Sequence, residues 1–120
     1  MNYAMSELTL FLERMGLLHD SVVRRLVWEP GVSTLCFEIE NLYSNFKDLP
    51  EYPGIMSGSI ELQEVVQVEF DIKTDENRLV IFEFLADMVG KNECKVSVSF
   101  WPAGKISALC RSVCFPKNMP

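Results

Sequence analysis

The sequence has a single histidine, no Cys-x-x-Cys motif and no long apolar run. A membrane-spanning helix needs roughly 18 consecutive apolar residues. No stretch of the chain approaches that length, so we expect no membrane-spanning segment. The N-terminus also lacks a basic region followed by an uninterrupted apolar run, so no secretory signal peptide is predicted. These absences predict a cytoplasmic protein, in which cysteines stay reduced.

Basic residues are also scarce, with 11 lysines and arginines against 17 acidic residues and a net charge of -6. A nucleic-acid backbone would be repelled on average, so we expect no nucleic-acid partner. An acidic surface instead steers the protein towards basic partners. With 120 residues, of which 48% are hydrophobic, the chain is predicted to form a single globular domain over residues 1–120.

The four cysteines lack the paired spacing of a zinc site. We interpret them as small buried or half-buried thiols, and a zinc site that combines all four is the alternative. They are Cys36, Cys94, Cys110 and Cys114. The sequence gives no other reason to expect a metal or a cofactor.

Alternation of apolar and polar residues is the strongest pattern in the chain, and it is clearest in residues 61–72. Even positions there are apolar and odd positions are polar, with the exception of Glu64 and Val65. Side chains of a strand point to opposite faces with period two, so this segment predicts a long strand with one buried face. A β-bulge near Glu64 and Val65 accounts for the exception.

The same alternation recurs in most of the chain after residue 22 and predicts six strands, which follow one N-terminal helix. The helix begins at a Ser6 cap, ends near Gly16, and carries an apolar stripe at helical spacing. That stripe consists of Leu8, Phe11, Leu12 and Met15. The predicted strands are residues 22–28, 34–42, 59–72, 79–85, 95–101 and 106–115, with a connection at 87–93.

Short connections favour antiparallel neighbours. The predicted fold class is therefore α+β, with the helix packed on a curved antiparallel sheet of about six strands. A half-open β-barrel is the alternative.

Residues 44–58 form the longest predicted irregular segment, and a loop of this length in a compact domain is often functional. Phe46 and Tyr52 lie in it, and Trp28, Tyr43 and Trp101 lie near strand ends. Aromatic residues at a rim are typical of partner surfaces. The alternative is that they form a second small core under the loop.

His19 and Asp20 are the first candidate for chemistry, since a histidine beside an acid is typical of a general base with its orienting group. Adjacent residues entering a strand point in opposite directions, however. We therefore favour a structural role, in which Asp20 caps the turn and His19 anchors the junction between helix and strand. A pocket with His19 at its edge is the alternative.

Several carboxylates are predicted on the exposed face of the sheet, and they form the second candidate site. They are Glu38, Glu40, Glu61, Glu69 and Asp71. Their spacing matches no catalytic or cation-binding motif, so a solvated acidic face is the simpler interpretation. Arg24 and Arg25, the only basic doublet, are expected to balance nearby acids.

The segment Leu18-His19-Asp20-Ser21-x-Val23, between a short helix and an alternating strand, resembles small bacterial proteins that include immunity proteins of polymorphic toxin systems. The resemblance covers roughly residues 11 to 42. It implies a small cytoplasmic binding protein and brings no catalytic residues with it.

Our leading hypothesis is a non-enzymatic protein–protein interaction domain of the immunity type with a basic protein partner. Its predicted partner-binding residues are Glu38, Glu40, Phe46, Tyr52, Glu69 and Asp71. One alternative is a small-molecule binding domain or minor enzyme with a pocket under residues 44–58, with His19 and Asp20 at its edge. Another is a homo-oligomer, such as a dimer, joined through residues 79–85.

Overall fold

The computed structural model describes residues 5–41, 57–72 and 78–115. Helix α1 spans Met5–Arg14 and is followed by a 3-10 turn at Gly16–Leu18. Six strands follow: β1 (Val22–Glu29), β2 (Thr34–Ile39), β3 (Gly58–Asp71), β4 (Leu79–Val89), β5 (Glu93–Trp101) and β6 (Lys105–Cys114). The predicted α+β class, with one helix and a curved antiparallel sheet, is confirmed.

The apolar stripe of α1 is buried as the sequence predicts. Its members Leu8, Phe11, Leu12 and Met15 are each at most 2% exposed. The Phe11 ring packs 4.8 Å from the ring of Phe115, directly after β6. A ten-residue helix is marginal alone, so this packing holds it in place. No helix in the described ranges is long and apolar enough to cross a membrane.

The strands form a ring in the order β1-β2-β3-β6-β5-β4, which returns to β1. All pairings are antiparallel. Closure depends on two residue pairs between β1 and β4, Val22 with Val80 and Val23 with Leu79. The sheet is thus a closed barrel rather than the half-open one considered as the alternative.

The interior is filled by side chains from every element. Phe37 of β2 and Phe84 of β4 meet there edge to face, with ring centroids 5.4 Å apart, and both are fully buried. Leu35 of β2 and Ile60 and Leu62 of the neighbouring β3 also contribute, with no exposed surface. One hydrophobic core therefore joins α1 to all six strands.

A bulge in β3 is where the sequence predicts it. Glu64 has a positive φ of 52°, and the pairing with β6 shifts between Val65 and Gln67. Val65 is buried, whereas Val66, which the alternation assigns to the buried face, is 48% exposed. The extra residue changes which side chains face the core.

Strand β4 is longer than predicted. Val89 pairs with Glu93 and Asp87 with Lys95, so most of the predicted connection 87–93 belongs to a β-hairpin. Its turn begins at Gly90, which has a φ of 74° and for which an L side chain would be strained. The sequence predicts too long a connection between β4 and β5, because Asp87, Gly90 and Asn92 are residues typical of a loop.

Candidate functional site

Backbone and side-chain hydrogen bonds join the end of the 3-10 turn to β4 and to the end of β2. The Asp20 N–H donates to the Ile81 carbonyl, and the Ile81 N–H donates to the Ser21 carbonyl, both at 2.8 Å. The Asn41 side chain accepts the Val22 N–H at 2.7 Å and donates to the Asp20 carbonyl at 3.4 Å. Asn41 therefore holds β1 and β2 in register beside the β1–β4 closure.

His19 belongs to this junction. Its Nδ1 donates to the Phe82 carbonyl at 2.9 Å, and its ring lies edge-on to the Phe82 ring with centroids 5.5 Å apart. Its Nε2 lies 3.6 Å from Asp20 Oδ1, so the expectation that these neighbours point apart is wrong. The reason is that Asp20 has a φ of 68°, which turns the chain before the strand begins.

A row of four side chains crosses the outer surface at the β1–β4 closure. Trp101 pairs with Val80, Val80 pairs with Val22, and the Glu40 N–H donates to the Val22 carbonyl at 2.9 Å. Residues opposite one another on neighbouring strands share a face. We call Glu40, Val22, Val80 and Trp101 the closure row. It spans three strand spacings, about 14 Å.

Trp101 and Phe82 make this surface aromatic. Trp101 is 64% exposed and Phe82 is 44% exposed. Phe82 lies two residues along β4 from Val80, and the His19 ring packs nearly perpendicular to its ring. We call Trp101, Phe82 and His19 the aromatic patch. It is flanked by carboxylates from three segments, namely Glu40 in the closure row, Asp20 beside His19, and Glu83 next to Phe82.

The four acidic residues predicted to bind a partner are not brought together in one patch. Glu38 contacts Arg24 at 3.1 Å and Arg25 at 3.6 Å, so the expectation that the basic doublet balances nearby acids is confirmed. Glu38 pairs with Ser59, ten residues before Glu69 along β3. Ten residues of strand span about 33 Å. Glu38 and Glu40 therefore lie towards one end of β3, and Glu69 and Asp71 towards the other.

Two predicted partner-binding residues, Phe46 and Tyr52, lie outside the described residues, as does most of the segment 44–58. The pocket proposed beneath that segment therefore has no described counterpart. The aromatic patch was only partly foreseen, because the sequence marks Trp101 as a rim residue but assigns Phe82 to an apolar strand face.

An open groove of about 400 Å³ lies on the outer face of β3, β6 and β5. Glu69, Lys95 and Lys105 provide its charges, while Leu109 and Val89 contribute apolar surface. His19 is not part of its lining. The groove is of small-molecule size, but its charges are mixed and it opens to solvent.

The cysteines divide into two groups. Cys94 and Cys110 are opposite each other on β5 and β6 and are buried, whereas Cys36 and Cys114 are half-buried and flank Glu61 in another row. The four do not converge on one point. In the described ranges, no group of three or more histidine, cysteine or acidic side chains is placed to hold a metal ion.

A hydrogen bond between the two buried thiols shifts their pKa values in opposite directions. The bond to Cys110 lowers the pKa of Cys94, while the same bond and burial raise the pKa of Cys110. Both residues are buried, so this pair is a packing element of the core.

The pKa of the Cys36 thiol is raised, first by burial and then by the negative charges of Glu61 and Glu38. A raised pKa leaves less thiolate at a given pH, and the thiolate is the reacting form.

In a Cys114→Ser background, we expect Glu61→Gln to lower the pKa of Cys36 and speed its alkylation by iodoacetamide at pH 8. The pH–rate profile should move to lower pH. An Asp87→Gln control, remote from Cys36 in the pairing scheme, should leave the profile unchanged, and an unshifted Glu61→Gln profile would show that the carboxylate has no effect.

Comparisons with protein-family models, with curated proteins and with solved structures found no match.

Proposed function

We propose that this protein is a non-enzymatic protein-interaction domain that binds a basic protein through the aromatic patch and the closure row. The observation that carries the proposal is Trp101, 64% exposed, in register with Val80, Val22 and Glu40 on a continuous outer surface. Tryptophan is among the residues that most often dominate binding energy at protein interfaces.

The chemistry of this surface favours a cationic partner. The faces of Trp101 and Phe82 attract lysine and arginine side chains. Glu40, Asp20 and Glu83 add negative charge around them, and complementary charge accelerates encounter and excludes acidic competitors. An immunity-type inhibitor, bound to a basic toxin domain, is the specific form of this function that we propose.

The contacts of His19 support a non-enzymatic role. Nδ1 donates to the Phe82 backbone and Nε2 lies beside Asp20, so the ring connects the 3-10 turn to β4. We accordingly expect His19→Ala to lower the melting temperature and to weaken partner binding less than loss of the exposed Trp101 side chain does, because the His19 ring supports Phe82.

The proposal is tested by capture from the host lysate with matched variants. Trp101 and Val32 are both 64% exposed, and Val32 lies in the distant β1–β2 turn. We expect Trp101→Ser to weaken capture of a basic protein at least about tenfold, typical of a central interface residue. Val32→Ser should bind like the parent protein. Glu40→Lys should also weaken capture, whereas Glu13→Lys on the exposed face of α1 should not.

Melting temperatures of all four variants separate lost binding from lost folding. Capture that falls with rising salt and with Trp101→Ser, at unchanged melting temperature, supports the proposal. Equal capture by the Trp101 and Val32 variants would falsify it. So would a free protein that is already a dimer through this surface or that carries a co-purified small molecule.

A further inference from the structure

Strand β3 is longer than its neighbour on one side. It pairs with β6 from Glu61 as far as Asp71, but with β2 only from Gly58 to Leu62. Beyond Leu62, the Val65 N–H donates to the Ser33 carbonyl at 3.0 Å. From Val66 to Asp71, no described strand pairs with β3 on the side away from β6. Such an edge presents backbone donors and acceptors in a row that another strand can bind.

The two faces of this edge differ in chemistry. On the outer face, Gln67, Glu69 and Asp71 are exposed. On the other face, Val68 and Phe70 lie opposite Ala108 and Ile106, both of which are buried. Phe70 therefore faces the core. Its side chain is still 43% exposed, because no described strand lies next to it on the side away from β6.

The charges on the edge disfavour a second copy of this chain. Antiparallel self-pairing centred on Glu69 places two Glu69 side chains directly opposite each other, and self-pairing centred on Phe70 places Glu69 opposite Asp71. Like charges opposite one another in a sheet are destabilising. Acidic residues on an edge are a common device against self-association.

The alternation of acidic and apolar side chains along this edge suits a strand that carries basic residues at alternate positions. We propose that the Val66–Asp71 edge of β3 accepts an extended segment of another protein, in which lysine or arginine alternates with apolar residues. Main-chain hydrogen bonds would add the segment to the sheet as a further strand, and alternate side chains would supply selectivity. The basic residues would face Gln67, Glu69 and Asp71, and the apolar ones would cover Val68 and Phe70.

Glu69 carries most of the charge recognition. Asp71 lies opposite Lys105 on β6, which offsets its charge, whereas Glu69 lies opposite Ser107. Lys105 is one strand further from the edge, so an added strand meets the β3 carboxylates first. This edge shares no residue with the aromatic patch, and the inference stands independently of the proposed function.

The test uses the full chain and three heptapeptides. In the first peptide, lysine or arginine alternates with valine. In the second, glutamate replaces the basic residues. The third has the composition of the first, with basic and apolar residues in separate blocks. We expect only the first to bind in a titration followed by backbone NMR. Protection from amide exchange should increase within residues 66–71 and not along β4.

A charge-reversal variant provides the second part of the test. Glu69→Lys should weaken binding of the first peptide at least tenfold and improve binding of the glutamate peptide, and Glu13→Lys should change neither. Equal binding of the block peptide, protection outside β3, or an unchanged preference in Glu69→Lys would each overturn the inference. Trp101→Ser should not affect the peptide, so the two proposals fail separately.

Discussion

Phe84→Ala is expected to lower the free energy of unfolding by about 3–5 kcal/mol, the range for removal of a buried phenylalanine side chain. The Phe84 ring is fully buried and meets the Phe37 ring edge to face at 5.4 Å. Phe84 comes from β4 and Phe37 from β2, which do not pair with each other. Their contact therefore crosses the barrel interior, and its loss leaves a cavity between two walls.

Urea denaturation of the single and double variants measures this loss. Because an aromatic pair contributes roughly 0.5–1.5 kcal/mol beyond its buried area, Phe37→Ala and Phe84→Ala together should cost less than the sum of the two single changes. The control is Phe82→Ala, since Phe82 is 44% exposed, and it should cost much less. A Phe84→Ala variant as stable as the control would mean that the ring does not fill the core described here.

Asn41→Ala is the second change with a large expected effect, about 1–3 kcal/mol. The substitution removes the acceptor of the part-buried Val22 N–H and the donor to the Asp20 carbonyl, and leaving the Val22 N–H without this partner costs about that much. Val22 also belongs to one of the two residue pairs between β1 and β4. The change therefore acts at the point where the sheet closes.

Chemical denaturation again provides the measurement, with Asn92→Ala as the matched control. Asn92 is exposed in the β4–β5 turn and its loss should have little effect. Asn41→Asp retains the acceptor for Val22 but loses the donor, so we expect an intermediate value. If Asn41→Ala and Asn92→Ala were equally stable, the side chain would not be holding the two strands.

Local patterns in the sequence are sufficient to predict the helix and the strands of this fold. The stripe from Leu8 to Met15 predicts α1, and the break at Glu64 predicts the bulge, because both signals depend only on neighbours in the chain. The extent of β4 is underestimated by four residues, because Asp87, Gly90 and Asn92 are typical of a loop although β4 continues to Val89.

The surface could not be predicted in the same way. The closure row unites Glu40, Val22, Val80 and Trp101, residues that are widely separated in the chain and become neighbours only through strand register. Alternation identifies the face of each side chain but not its neighbours on other strands. The role of Asn41 was missed for the same reason, as its two partners are about twenty residues away.

The strand order has a consequence for how the chain folds. β4, β5 and β6 are consecutive hairpins, and β1 with β2 forms another, so these units depend on nearby residues. β3 joins the two groups, and its pairing with β6 connects residues as far apart as Glu61 and Cys114. Contacts between such distant residues require long loops to close, and the entropy cost of loop closure slows folding. Folding is therefore expected to be limited by docking of two preformed hairpin units through β3.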